Sequence, residues 1–500
     1  MHRNSLIAGH LPARRLLCLA LLAASAGVGA AQIDPALQAN NSRQLQDVLI
    51  VLEDQATPLT TPLAEDADYL LRRRVLVANL IARAEEQQAD VRAWLDEKGI
   101  AYQPYWIANV IQAQLTPAAL RELASAERGS RLGAVARVER NATFVQKLPQ
   151  QEVTSTEAIT AVTPGVTRIR APSVWSAGFR GQGVVIGGMD TGYQWNHPAL
   201  KGKYRGWNGT TANHNYNWHD AIHNSSGNTC GNNAAAPCDD NGHGTHTAGT
   251  FAGDDGGSNQ IGVAPGAKWV GCRNMAAGAG TPARYIECLQ WMLAPTNLAN
   301  ASPNPDLAPD VTSNSWGCTA GEGCSGGNEI KTAVDNLVAG GVMVIAAAGN
   351  DGSSCSTIGD PPATYASAFV VGATGTTSDS LASFSSRGPV PGNSAIKPDV
   401  SAPGVSVRSS IRNSGYGSMS GTSMATPHVA GVVALMMSAK PSLKGNPALV
   451  AQLLRQSVVS ATVPFSQTCG GTTSGTRPNH MVGHGRLDAW LAYQAAIALP

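Results

Sequence analysis

"GVVIGGMD", residues 183–190, decides how the larger part of this chain is read. It is apolar and partly β-branched without strict alternation, the pattern of a strand covered on both faces, and it stops on an acid, Asp190, before Thr191 and Gly192. Runs of the same kind recur at 267–275 "AKWVGCRNM", 309–317 "PDVTSNSWG", 342–350 "VMVIAAAGN" and 368–374 "AFVVGAT". Helical patterns lie between them, at 282–295 "PARYIECLQWMLAP" and 326–341 "GGNEIKTAVDNLVAGG". Buried strands alternating with helices predict an α/β unit over 166–500, a mostly parallel sheet with helices on both faces. In such sheets ligands bind beyond the carboxyl ends of the strands, so the residues that follow the strands are where chemistry is expected.

The texture changes upstream. Residues 45 to 147 are charged, poor in glycine and free of cysteine. "DVLIVLED" (47–54) reads as a strand and 69–99 as a long helix ending on Gly99. "AYQPYWIANVIQAQL" (101–115) is strand-like, "TPAALRELASAE" (116–127) is a helix capped by Thr116 with Pro117 behind it, and 133–145 closes the unit as a strand. Strand, helix, strand, helix, strand predicts a small ferredoxin-like α+β domain over 32–150. Residues 148–165, "LPQQEVTSTEAITAVTPG", lack apolar periodicity and end on Pro-Gly. They read as an exposed connector over 151–165, where a protease would cut.

Ahead of both lies a basic start, "MHRNSLIAGHLPARR", then the apolar "LLCLALLAASAGVGA" and small residues around Ala30 and Ala31. This is the pattern of an export signal over 1–31. No later stretch approaches the length of a membrane-spanning segment, so a protein secreted from the cell or held in a periplasm is expected. Lys plus Arg (35) nearly balances Asp plus Glu (34), which leaves no global field for nucleic acid or an anionic membrane. Removing the signal removes Cys18 and leaves eight cysteines, an even number that favours disulfides in an exported chain. Eight cysteines allow about a hundred pairings, so sequence does not settle them. The tightest local candidates are Cys230 with Cys238 and Cys318 with Cys324, leaving Cys272 with Cys288 and Cys355 with Cys469.

Hydrolysing an amide at neutral pH takes a nucleophile, a base to activate it, a group to orient the base and donors for the oxyanion. Asp190 alone is an ordinary turn acid, and Ser423, opening an apolar helical pattern in "GTSMATPHVAGVVALMM", alone reads as an N-cap. With His243 of "NGHGTHTAGT" (241–250) they form the order Asp, His, Ser among small residues, and Asn350 offers a side-chain amide. His243 and His246 stand three apart, but a zinc hydrolase of the HExxH type needs glutamate where Gly244 stands. His214, His219 and His223 with Cys230 and Cys238 are a second metal candidate, for which a disulfide is the simpler reading. "GCSGG" (323–327) matches the esterase elbow around Ser325, yet no strand leads into it.

The segments "DTG", "HGTHTAG", "AAAGN" and "GTSMATPHVAG" resemble the four signatures of the subtilisin-like serine peptidases, over roughly 170–495. The resemblance implies Ser423 as nucleophile, His243 as base, Asp190 as its orienting acid and Asn350 in the oxyanion hole, with His246 and His428 as packing residues. It also implies that Ser315, Trp316 and Gly317 border an extended substrate, that the "AAAGN" strand forms the opposite wall, and that Gly359 lines the pocket for the residue before the cut bond. A broad endopeptidase acting on proteins and peptides is expected. Asp351 and Asp360 near that pocket could draw a basic residue, but exposed charges select weakly. The stretches "SWGCTAGEGC" and "SSCSTIGDPP" resemble the bacillopeptidase F-like branch. The family's usual calcium aspartate is replaced by Ala199 in "NHPAL" and the adjoining loop is short, so that site is expected to be lost, with Asp254 and Asp255 read as an exposed turn. No cofactor is expected for catalysis. The 32–150 unit resembles the family's inhibitory propeptide (I9-type), an intramolecular partner of an otherwise monomeric enzyme. A silent relative would tend to have lost one of Asp190, His243, Asn350 and Ser423, and all four are present.

Overall fold

The computed structural model describes residues 31–39, 44–55, 68–127, 129–149, 151, 161–324 and 329–500. The expected export signal falls on residues 1–30, the middle of the connector on 152–160 and the rival Ser325 on 325–328, all outside the described residues.

Val185–Asp190 is an inner strand of a nine-stranded sheet. The order is Val458–Val459, Arg486–Leu487, Val400–Val405, Phe369–Gly375, Met343–Ala347, Val311–Asn314, Val185–Asp190, Lys268–Arg273, Trp218–Asp220. Neighbouring strands run parallel except for Val458–Val459 with Arg486–Leu487. The two glycines of "GVVIGGMD" answer to cover on both faces. A Cβ on Gly187 would stand 2.6 Å from Met292 Sδ, and one on Gly188 would stand 2.3 Å from the Tyr193 hydroxyl. On one face Ile186, Val311, Ile345 and Val371 pack against the helix Thr422–Ala439, whose Val429, Val432 and Val433 are buried. On the other, Met189, Val270, Val344 and Val370 pack with residues of Pro282–Leu293 and Glu329–Ala339. Each such buried aliphatic side chain contributes roughly 1.5–3 kcal/mol by its removal from water.

The N-terminal unit forms a second sheet, ordered Gln32–Ile33, Val135–Arg140, Gln46–Leu52, Val110–Leu115, Tyr102–Tyr105. The single strand expected over 101–115 is a hairpin: Tyr102–Tyr105 pairs antiparallel with Val110–Leu115. The reversal passes through Asn109 in the left-handed region, at φ 44°, a conformation asparagine tolerates well. From Gln46–Leu52 to Val135–Arg140, with the helices Tyr69–Glu97 and Pro117–Ala124, the unit therefore runs β-α-β-β-α-β, and Gln32–Ile33 and the short helix Pro35–Ala39 precede it. Both faces of the Gln46–Leu52 strand are buried, each against a different partner. Val48, Ile50 and Leu52 face Val91, Trp94 and Leu120 of the unit's own helices, whereas Leu49 and Val51 belong to the core shared with Ile286, Leu289 and Leu337 of the large sheet's helices.

Polar contacts fix that junction. Gln290 Oε1 accepts from the backbone N–H groups of Trp106 (2.7 Å) and Ile107 (3.2 Å), and Asn336 Nδ2 donates to Ile107 O (2.7 Å). Arg73, buried, donates to Gly340 O and Pro305 O. Tyr105 donates its hydroxyl to Glu287 (3.1 Å), the acid that His219 and His223 also engage. Burial raises the Glu287 carboxyl, but those two imidazoles outweigh it and hold the group at about 2, while the same bond pushes His223 up to about 9.

Candidate active site

Asp190 ends its strand and meets His243 at the first turn of the helix His243–Ala252, with His243 Nδ1 2.7 Å from Asp190 Oδ1. The helix start can come this close because residue 244 has no side chain: a Cβ there would lie 2.1 Å from Gly192 O and 3.0 Å from Asp190 Cβ. Asp239 builds the turn that enters the helix. Its carboxylate accepts from the N–H groups of Asn241, Gly242 and Thr245 and from the hydroxyls of Thr191 and Thr245. Asp240 accepts from Ala277 N and lies 3.3 Å from Arg273, which is also bidentate on Asp220. The acidic pair before "NGHGTHTAGT" is therefore scaffolding. Asp190 Oδ1 also accepts from Thr191 N (2.7 Å), and Thr247 donates to Oδ2 (3.3 Å). His243 is fully buried, and its Nε2 has no hydrogen-bond partner among the described residues.

Ser423 is the second residue of the helix Thr422–Ala439 and is 4% exposed. Two bonds link it with the end of the neighbouring strand: Ser423 Oγ donates to Ser315 O (3.2 Å), and Ser315 Oγ donates to Ser423 O (2.9 Å). Asn350 follows the strand Met343–Ala347 and is oriented by Thr422, whose N–H (2.9 Å) and hydroxyl (3.0 Å) both donate to Asn350 Oδ1. Because both partners are donors there, the amide oxygen is fixed on that side and Nδ2 is the free end, on an exposed residue bordering the cleft. Sequence reading missed Thr422 in this role; its place between Gly421 and Ser423 was the available signal.

The cleft is a cavity of about 620 Å³ bordered by Ser315, Trp316, Gly317, Gly359, Asn350 and Ser423. Trp316 stacks on Tyr285 at 4.2 Å. A Cβ on Gly359 would meet nothing within 4 Å, so the residue leaves room without being forced by packing. The N-terminal unit's tail lies in this cleft. Phe144–Val145 pairs antiparallel with Ala279–Gly280, and Gln146 N donates to Gly278 O (2.9 Å). On the opposite side the Gln146 side chain reaches Gly317, its amide bonding both the N–H and the carbonyl of that residue. The tail's main-chain pairing thus falls on the 278–280 edge. The glycines at 278 and 280 were the sequence trace of that edge.

The remaining candidates take structural places. His246 Nε2 lies 2.9 Å from Val407 O and His428 Nδ1 2.8 Å from Met424 O; burial holds their imidazoles down to about 3 and about 4. His219 and His223 converge on Glu287, His214 bonds Tyr204, and Cys230 pairs with Cys238. The other disulfides are Cys272–Cys288, Cys318–Cys324 and Cys355–Cys469, and Cα separations across the four run from 5.4 to 5.8 Å. Ala199 offers no side-chain oxygen, Asp254 sits 3.8 Å from both Arg180 and Lys203, and Asp255 accepts from Gly257, Asn259 and Tyr416. Among the described residues no helix is long and apolar enough to cross a membrane.

Residues 181–485 match the model of the Subtilase family. Bacillopeptidase F of Bacillus subtilis (strain 168) is 35% identical over 443 residues, which is 85% of this chain and 29% of that protein. Subtilisin DY of Bacillus licheniformis is 36% identical over 285 residues, 56% of this chain and 86% of that protein. M-protease of Shouchella clausii (strain KSM-K16) is 33% identical over 283 residues, 56% and 60% of the two chains. This chain therefore spans less than a third of the first of these relatives.

Proposed function

The chain belongs to the subtilase family of serine peptidases, and from that premise we propose that it is a secreted serine endopeptidase that hydrolyses peptide bonds through Asp190, His243 and Ser423. Ser423 Oγ attacks the scissile carbonyl as His243 Nε2 takes its proton. The imidazolium, held and compensated by Asp190, then returns the proton to the leaving amine. Asn350 Nδ2 and the Ser423 N–H stabilise the oxyanion. The observation that carries this reading is the His243 ring itself: Nδ1 is committed to a buried carboxylate while Nε2 is left without a partner. Catalysis needs no cofactor in this scheme.

Residues 32–150 act as an inhibitory propeptide, and 151–165 is the connector trimmed during self-processing to a monomeric enzyme. Support comes from the tail in the cleft and from the burial of His243 and Ser423 in the full chain. Breadth of specificity follows where substrate is read through its main chain, by strand addition along 278–280. A serine-directed phosphonylating reagent is expected to abolish casein hydrolysis while a chelator leaves it intact; the reverse pattern would overturn the mechanism. Replacing Asn350 with alanine is expected to lower kcat by about 10² to 10³-fold with KM little changed, since the amide is engaged mainly when charge develops on the carbonyl oxygen.

A further inference from the structure

Between Gly352 and Gly359 the chain forms neither helix nor strand, yet Thr357 and Gly359 border the cavity beside Ser423. No ladder holds this wall, so its position is set by ties at its end and along its back. At the end, Cys318 N donates to Pro361 O (2.7 Å), joining the wall to the residue after Gly317. At the back stands Arg387, fully buried. Its carbonyl accepts from Thr357 N (2.8 Å) and Ile358 N (3.2 Å), and its N–H donates to Thr357 Oγ1 (2.9 Å). Those bonds belong to the main chain of any residue at 387; the guanidinium adds others. Arg387 Nη1 donates to Ser353 O (2.6 Å) and to Gln467 Oε1, and Gln467 Nε2 donates to the same Ser353 carbonyl (2.9 Å). Gln467 stands just ahead of the hairpin Thr468–Cys469 with Thr472–Thr473, whose Cys469 is bonded to Cys355 of the wall. Phe465 lays its ring over the guanidinium at 4.9 Å.

The other two guanidinium nitrogens, Nε and Nη2, are buried without a partner among the described residues. Unmet donors on a buried cation oppose folding, so the contribution of this side chain lies in the position it imposes on Ser353. We propose that Arg387 is a positioning residue for the cavity that takes the residue before the cut bond, and that Gln467 makes the C-terminal hairpin part of substrate selection. The inference rests on the endopeptidase reading and adds to it two residues that touch no substrate. Arg387 and Gln467 pin Ser353 O from behind, and the next carbonyl, Ser354 O, accepts from Thr357 Oγ1 (3.1 Å), so the pin is transmitted to a residue that lines the cavity. With Ser353 released the wall shifts. A large side chain then loses the surface it packs on, while a small one, which never reaches that surface, loses little.

The full chain is expressed and left to process itself, and active sites are counted by phosphonate labelling so that misfolded molecules are discounted. Peptides identical except for Phe, Leu or Ala before the cut bond are compared by kcat/KM in wild type, Arg387→Met, Arg387→Lys and Gln467→Ala. Methionine keeps an apolar stem beneath Phe465 and removes the unmet donors, so that variant is expected to fold. Wild type is expected to favour the Phe peptide over the Ala peptide by about tenfold to hundredfold. Arg387→Met is expected to lower that ratio about tenfold through a higher KM for the Phe peptide, with kcat and the Ala peptide changed less than about twofold. Gln467→Ala is expected to move the ratio the same way, and Arg387→Lys, which keeps a donor for Ser353 O, to recover part of it. An unchanged ratio in Arg387→Met, or a loss on the Phe peptide matched by an equal loss on the Ala peptide, would overturn the positioning role. An unchanged ratio in Gln467→Ala would remove the hairpin from selection. Wild type that cuts the Phe and Ala peptides equally would overturn this inference and leave the endopeptidase reading in place. If the labelled enzyme cuts no peptide of the series, the endopeptidase reading falls and this one with it.

Discussion

Ser423→Ala is expected to stay at full length after folding and to lose peptide hydrolysis by about a millionfold, the order found when the nucleophile of subtilisin, a relative of this chain, is removed. The structure argues that the loss would be chemical rather than structural. Alanine is the best helix former, and position 423 is already inside a helix. The contact given up is one hydrogen bond to Ser315 O, about 1 kcal/mol, while the reciprocal bond from Ser315 Oγ ends on the backbone carbonyl of residue 423 and survives. Intact mass, N-terminal sequencing and casein hydrolysis beside wild type read the result. A variant that still matures and still digests casein would remove Ser423 from the mechanism. If wild type itself stayed unprocessed and inert, a silent peptide-binding relative would become the better description.

Asp190→Ala is expected to lower kcat by about 10⁴-fold, with a smaller change in KM because the residue lies behind the base and away from the cleft lining. The asparagine variant distinguishes two parts of that effect. Asp190 Oδ1 accepts from both Thr191 N and His243 Nδ1, so an amide is held with its oxygen at that corner; turning its nitrogen there would oppose two donors. Asp190→Asn therefore keeps the tautomer and loses the charge, and its activity is expected to lie between those of wild type and the alanine variant. An alanine variant as active as the asparagine one would show that the charge, and not the orientation, carries the whole contribution. Alanine also leaves the buried Thr191 N–H without its acceptor, at about 1–3 kcal/mol, so a lower Tm should accompany it.

The parts of the architecture written in local pattern were legible. "GVVIGGMD" and "VMVIAAAGN" declare buried strands, and a strand ending on Asp190 or Asn350 declares where side chains emerge. Contacts between residues distant in the chain were not. The orientation of Asn350 depends on Thr422, seventy-two positions away, and no local period records it. Phe144–Val145 and Ala279–Gly280 are two-residue strands, too short for alternation to register, and they form only because the tail and the glycine edge meet in space. The hairpin over 102–115 was hidden for the opposite reason: both arms are apolar enough to read as one run, and only Asn109 marks the reversal.

Three of the crosslinks sit around the cleft. Cys272–Cys288 closes the segment that carries the 278–280 edge, Cys318 follows Gly317 directly, and Cys355 lies just ahead of Thr357 and Gly359. A receptor whose walls are tied in this way has surrendered its conformational entropy at folding, so little remains to be lost when a peptide docks. Under the proposed endopeptidase function the ordering would then fall on the substrate, arriving as an extended strand, and unfolded or loosely held segments of target proteins are expected to be cut first.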